Sequence, residues 1–200
     1  MKALIIVDLQ NDFIPGGALP VPEGDTIIER INEIQKKFEL VIATQDWHPA
    51  NHKSFVTQHE GKNVFDQIEL NGLPQTLWPV HCVQGTVGAE FHKALNTNKI
   101  EAIFRKGTNP EIDSYSGFFD NGKKKSTGLH GFLQERNATH LYICGLAADF
   151  CVYHTAMDAL TLGYNVTILD GSTKAIDPVG YVDLKDKFRA KGGNISSYIL

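Results

Sequence analysis

Apolar residues along this chain fall into two rhythms. Short unbroken runs lack the alternation of a half-exposed strand and match strands buried on both faces. They are Ala3 to Val7, Leu40 to Thr44, Ile100 to Phe104, His140 to Cys144, Asn165 to Leu169 and Ile195 to Ile199. Between most of them the spacing turns helical. Residues 25–38 put Ile27, Ile28, Ile31, Ile34 and Phe38 on one face, with Asp25 or Thr26 as cap. Residues 126–136, 149–162 and 177–191 carry comparable patterns, and Gly163 and Gly192 stand where C-terminal stops belong. Strands alternating with helices predict an α/β fold. The expected form is three layers, α/β/α, around a mostly parallel six-stranded sheet, as one domain spanning residues 1–200.

One stretch escapes both rhythms. Residues 45–88 are irregular and rich in His, Asn, Pro and Gly. A long loop region inside a compact domain is uncommon unless it carries function. Open parallel sheets form their sites outside the C-terminal ends of the strands. Asp8, Asp46, Lys106 and the turn from Gly145 to Cys151 all follow predicted strand ends, so the pattern gathers them into one cleft.

Composition narrows the class of protein. The chain has 200 residues, 42% hydrophobic and 21% charged, with a formal net charge of −4, as for an ordinary globular domain. Its densest basic run is Lys123 to Lys125, which reads as a solvated loop, so nucleic acid is a poor partner. No apolar run approaches the roughly 20 residues of a membrane helix, and the first is too short for a signal peptide. Three cysteines, Cys82, Cys144 and Cys151, make an odd number and argue against a disulfide framework. A reducing cytoplasm is the expected compartment, with free thiols available for chemistry.

The candidate chemistry is concentrated. Cys151 lies where a Gly/Ala turn after a strand enters a helix, and a helix N-terminus favours a thiolate. Small residues at Gly145, Ala147 and Ala148 would let backbone N–H groups approach a substrate oxygen. The plain alternative for Cys151 is a small core residue. Asp8 ends a buried strand, where a carboxylate needs a partner or a task, although Asp also serves as a loop acceptor there. Lys106 follows Ile103-Phe104 and could equally be a surface lysine with a buried stem. Asp46 and His48, two apart at a strand end, can face one way. His52, His59 and His81 follow; His59 reads as polar surface, whereas His81 is wedged in Trp78-Pro79-Val80-His81-Cys82. One Asp with two His is a donor set for Zn²⁺, Fe²⁺ or Mn²⁺.

Together these pieces resemble the nicotinamidase branch of the isochorismatase-like hydrolases, through nearly the whole chain. The motifs are Val7-Asp8-Leu9-Gln10-Asn11-Asp12-Phe13, Asp46-Trp47-His48-Pro49, Trp78-Pro79-Val80-His81-Cys82, Arg105-Lys106-Gly107 and Gly145-Leu146-Ala147-Ala148-Asp149-Phe150-Cys151-Val152. The resemblance implies a catalytic triad of Asp8, Lys106 and Cys151 and an oxyanion hole from the N–H groups of Ala147 and Cys151, aimed by a cis peptide between Ala147 and Ala148. It implies metal ligands Asp46, His48 and His81, with waters completing the shell; the family varies in a further direct or water-mediated contact, which His52 or Ser54 could supply here, and the choice stays open. Phe13, Leu19, Trp78 and Tyr115 would surround a pyridine ring. The implied metal is Zn²⁺ first, with Fe²⁺ or Mn²⁺ as alternatives. The implied reaction takes nicotinamide to nicotinate and ammonia through a thioester, within NAD salvage, and extends to pyrazinamide. The rival readings are a carbamoyl or ureido hydrolase, an isochorismatase, or a non-enzymatic metal-binding module. Phe118-Phe119 and the last strand fit either core or a contact between copies, which leaves a homo-oligomer open.

Overall fold

The structure is a computed structural model that describes residues 1–197. Its strands are β1 (Lys2–Val7), β2 (Leu40–Asp46), β3 (Gln67–Leu70), β4 (Leu73–Thr76), β5 (Ile100–Lys106), β6 (His140–Leu146), β7 (Asn165–Lys174) and β8 (Asn194–Ser196). The helices are α1 (Ile28–Ile34), α2 (Leu129–Glu135), α3 (Tyr153–Thr161) and α4 (Pro178–Ala190). Six strands form one sheet in the order β5-β2-β1-β6-β7-β8, and each neighbouring pair is parallel.

The unbroken apolar runs follow from this topology. Along β1, Leu4 and Ile6 enter one core with Ile28 and Ile31 of α1. Ala3, Ile5 and Val7 point the other way, onto Leu129 and Leu133 of α2, Ala156 and Ala159 of α3 and Phe188 of α4. Both faces of the strand are therefore covered, and no polar alternation survives. This is the three-layer α/β/α fold expected from the sequence.

The helices depart from expectation at their ends. Residues 25–38 break into a tight turn at Gly24–Ile27, then α1, then another at Gln35–Lys37. Neither Asp25 nor Thr26 caps α1; the Thr26 hydroxyl donates instead to the Glu23 carbonyl (2.7 Å), a local bond that competes with helix. The second helix begins only at Leu129, because the Ser126 and Thr127 hydroxyls accept the N–H groups of Gly128 and Leu129. Asp177 does cap α4, accepting from Val179 N (3.1 Å) beside a proline in the first turn. Gly163 and Gly192 take the left-handed conformation after α3 and α4. The last strand starts one residue before the expected Ile195, and positions 198 and 199 of that expectation lie outside the described residues.

Two departures matter for the site. β2 and β5 run on to Asp46 and Lys106 themselves, so these residues are cross-strand partners rather than loop residues after the strands. The irregular region also contains an antiparallel hairpin, β3–β4, turning on Asn71-Gly72 with both residues at positive φ, the pairing a two-residue hairpin turn demands.

Candidate active site

The register of the central strands assembles the polar cluster. Lys106 is fully buried and its ammonium lies 2.9 Å from Asp8 Oδ2, 2.9 Å from Asp46 Oδ1 and 3.4 Å from Cys151 Sγ. It also donates to the Ser114 carbonyl (3.0 Å). Asp8 Oδ1 accepts a 2.6 Å hydrogen bond from the Thr44 hydroxyl on β2. Its Oδ2 pairs with Lys106 by charge and takes no directed hydrogen bond. Cys151 sits in a single π-helical turn, Ala148–Val152, ahead of α3. The Ala147 carbonyl closes that turn by accepting from Phe150 N (3.2 Å) and Val152 N (3.0 Å).

Burial and neighbouring charge set the protonation states. Burial raises the Asp8 carboxyl above its ordinary value, with Asp46 adding to the rise and Lys106 and Thr44 opposing it. Burial would pull Lys106 down, but Asp46 and Asp8 together hold it well above the usual lysine value, so the ammonium keeps its charge. The Cys151 thiol is pushed well up, first by burial and then by Asp8 and Asp46 against the pull of Lys106. The lowering expected from a helix N-terminus is therefore outweighed at Cys151. Two carboxylates and a dry pocket outweigh one ammonium.

Beside this cluster Asp46, His48 and His81 bring their ligand atoms within 4.8 Å of one another. His48 Nε2 stands 3.0 Å and His81 Nε2 3.5 Å from Asp46 Oδ2. His48 Nδ1 lies 3.0 Å from the Gly107 carbonyl, and His81 Nδ1 lies 2.8 Å from the Pro79 carbonyl. A carbonyl only accepts, so each Nδ1 carries a proton, and Nε2 is the nitrogen that each ring turns toward the carboxylate. Oriented imidazoles of this kind suit a divalent metal. Burial opposes the charge on Asp46, yet His48 and Lys106 hold its carboxyl well below the usual range, so it stays ionised. Gly107 is needed for this approach: its φ is +64°, and a Cβ there would overlap the His48 ring. These residues fit a metal.

His52 belongs to the edge of the same cluster. Its Nδ1 accepts the backbone N–H of Ser54 (3.2 Å) and lies 2.7 Å from the Ser54 hydroxyl, while its buried Nε2 has no partner. Burial, with His48 beside it, lowers His52 to about 4, so the ring is neutral. His52, His48 and Asp113 form a second group of potential ligands. His59 lies apart, its Nε2 on the Lys53 carbonyl.

Phe13, Leu19, Trp78 and Tyr115 line one pocket with Asp46, His81, Ala147 and Cys151 at its polar side. Trp78, Tyr115 and Phe150 meet edge to face at centroid distances of 4.8–6.2 Å, which shapes a slot for a flat ring. Phe150, Ile176, Asp113 and Thr44 were not singled out from the sequence. Phe150 was discoverable as the neighbour of Cys151 and Thr44 as a polar residue ending an apolar run. Ile176 and Asp113 carry no sequence signal. One cis peptide precedes the turn, at Leu146–Ala147 rather than Ala147–Ala148. The cis bond thus follows the last residue of β6, one position earlier than expected.

Residues 2–198 match the family described as the Isochorismatase domain. The nicotinamidase of Escherichia coli (strain K12) is 48% identical over 180 residues, covering 88% of this chain and 84% of that protein. The structure of an Acinetobacter baumanii nicotinamidase pyrazinamidase aligns with a TM-score of 0.94 at 45% identity, covering 97% of this chain and 94% of that one. Pyrazinamidase of Pyrococcus horikoshii in complex with zinc aligns with a TM-score of 0.82 at 39% identity, over 98% of this chain and 99% of that one. The match runs through nearly the whole chain, and the chain belongs to the Isochorismatase domain family, on its nicotinamidase branch.

Proposed function

We propose that this protein is an amidohydrolase that converts nicotinamide to nicotinate and ammonia, and accepts pyrazinamide as a second ring amide. The observation that carries the reading is the buried Lys106 ammonium, held by Asp8 and Asp46 and standing 3.4 Å from the Cys151 sulfur at the polar end of an aromatic slot. Asp8, its basicity raised by burial, takes the thiol proton as the sulfur attacks the carboxamide carbon. The N–H groups of Ala147 and Cys151 receive the oxyanion, a donor pair of a kind worth about 10²–10³ in rate per donor. Asp8 returns the proton to the departing nitrogen, ammonia leaves, and a thioester remains on Cys151. Water then attacks the thioester with Asp8 again as base, releasing the acid. Lys106 keeps both carboxylates buried beside the sulfur and meets the negative charge as it forms.

Asp46, His48 and His81 would hold a divalent ion, zinc on the donor set, with Fe²⁺ or Mn²⁺ as alternatives. Such an ion supplies a Lewis-acidic anchor for a ring nitrogen. Phe13, Leu19, Trp78 and Tyr115 would hold the ring faces, so a pyridine carboxamide fits the slot better than a flexible carbamoyl or ureido group. The product suits return of nicotinamide to NAD synthesis through nicotinate. Among the described residues no helix is long and apolar enough to cross a membrane.

Ammonia release from purified protein tests the reading, with nicotinamide, benzamide and a carbamoyl amide compared side by side. Fast turnover of nicotinamide with little on benzamide, which lacks the ring nitrogen, is the expected result. No ammonia from nicotinamide in the presence of zinc would overturn it.

A further inference from the structure

We propose that Asp12 is a positioning residue that fastens the ring wall to the metal histidines, and that Gly88 is glycine to leave room for its carboxylate. The inference rests on the functional reading above, in which Phe13 and Leu19 hold the ring and His48 and His81 hold the ion. Asp12 lies in the short turn Asn11–Phe13, and its carbonyl accepts Leu19 N (2.9 Å). Its Oδ1 accepts the N–H of Ala18 (3.3 Å). The loop that carries Phe13 and Leu19 is thus closed upon Asp12. The remaining oxygen, Oδ2, reaches across to accept the N–H of Cys82 (2.7 Å), the residue after His81. The Cys82 carbonyl in turn accepts His48 N (3.0 Å). One carboxylate therefore joins three parts that would touch the substrate or its metal: the ring wall, His81 through the N–H of the next residue, and His48 through one further bond.

Two backbone features sharpen the argument. Cys82 has φ +46°, a left-handed conformation unfavourable for a residue with a Cβ. It turns the Cys82 N–H toward Asp12 while its carbonyl faces His48, and the Asp12 bond helps hold it there. Gly88, from a different loop, packs directly against the same carboxylate. A Cβ on Gly88 would overlap the Asp12 carboxyl carbon and both its oxygens. Gly88 is not among the positive-φ glycines, so the demand at this position is for space alone. A methyl group there has to displace the carboxylate from Cys82 or be displaced itself.

The test uses Asp12→Ala, Asp12→Asn, Gly88→Ala and the double variant Asp12→Ala with Gly88→Ala. Zinc affinity is read by competition with a chromogenic chelator, alongside KM and kcat for nicotinamide. Asp12→Ala and Gly88→Ala are each expected to weaken zinc binding by about tenfold, the scale on which outer partners of metal ligands act, and to raise KM more than they lower kcat. Asp12→Asn keeps an acceptor for the Cys82 N–H and is expected to stay within about threefold of wild type. The double variant should be no worse than Asp12→Ala, because the Gly88 methyl then meets empty space, a coupling that independent sites do not show. Lower thermal stability with zinc affinity and KM unchanged in Asp12→Ala would overturn the proposal, as would effects that multiply in the double variant. Should Gly88→Ala fail to fold, the contrast between Asp12→Ala and Asp12→Asn decides it. Wild-type protein that binds zinc but leaves nicotinamide intact would sink the functional reading, and the zinc measurements would still decide the clamp.

Discussion

The Lys106 ammonium stands 3.4 Å from the Cys151 sulfur, yet burial and two neighbouring carboxylates push the thiol well above its ordinary range. The same ammonium is shared with Asp8 and Asp46, and burial with these two carboxylates raises the thiol more than Lys106 lowers it. Lys106 is therefore placed to receive negative charge as the sulfur attacks, while Asp8 removes the proton. A thiol held above its ordinary range is also less open to adventitious alkylation and oxidation, which follow thiolate character.

This arrangement separates reactivity of the thiol from turnover. Asp8 raises Cys151 by its negative charge, so Asp8→Asn should lower the thiol pKa while removing the base. Thiolate ultraviolet absorbance near neutral pH should increase relative to wild type, with Cys151→Ser as baseline, and ammonia release should fall by about 10²–10⁴. A fall in turnover without more thiolate would mean that Asp8 does not face the sulfur as described. Cys151→Ala should leave no measurable turnover, and activity within about tenfold of wild type would remove the nucleophile from the mechanism.

Lys106 also bears on stability. Its side chain is fully buried between Asp8 and Asp46, so Lys106→Met would leave two buried carboxylates facing each other without a cation. Removing one partner of a buried ion pair costs about 3–5 kcal/mol, and part of that loss would be recovered by protonating a carboxyl. Urea unfolding at pH 7 and at a lower pH measures both. The variant should be much less stable than wild type at pH 7, and the gap should narrow as pH falls. A gap that stays constant with pH would mean that the carboxylates are not paired through Lys106.

Metal removal should act through the ring rather than the thiol. His48 and His81 each hold a protonated Nδ1 against a carbonyl, which leaves Nε2 for the ion. Stripping the divalent ion with a strong chelator should abolish nicotinamide turnover, and added zinc should restore it. Residual activity on benzamide, which has no ring nitrogen to anchor, should change much less. Equal loss on both amides would place the ion in the bond-breaking step instead.

Much of this was legible in the chain because parallel strands write plainly. The buried runs announced β1, β2, β5, β6 and β7, and the rule that sites gather at strand ends brought Asp8, Asp46, Lys106 and Cys151 together. What stayed hidden depends on register and on loops. The direct pairing of Asp46 with Lys106 requires β2 and β5 to run two residues beyond their apolar stretches, and polar residues at strand ends look like loop in a hydrophobicity pattern. Asp113 and Ile176 reach the pocket from loops that only the folded chain brings near. The π-helical turn holding Cys151 has no periodicity of its own, so residues 149–162 read as one helix.

Thr44 gives the sharpest test of the base. Its hydroxyl donates 2.6 Å to Asp8 Oδ1, a bond that favours the ionised carboxylate and lowers the Asp8 pKa against the rise caused by burial. Thr44→Val keeps the shape of the side chain and removes the donor, so the Asp8 pKa should rise further. If ionised Asp8 is the base, the acidic limb of the kcat/KM profile must then move to higher pH. A hydrogen bond to a charged group is worth about 1.5–3 kcal/mol, of which one pKa unit is about 1.4, so the shift should be on the order of one unit. Asp8, Lys106 and Cys151 titrate together, and the limb reports the cluster rather than a single residue. The direction of the shift survives that coupling, because Lys106 stays protonated and the thiol titrates well above its ordinary range. A limb that stays in place, or moves to lower pH, would take the role of base away from Asp8.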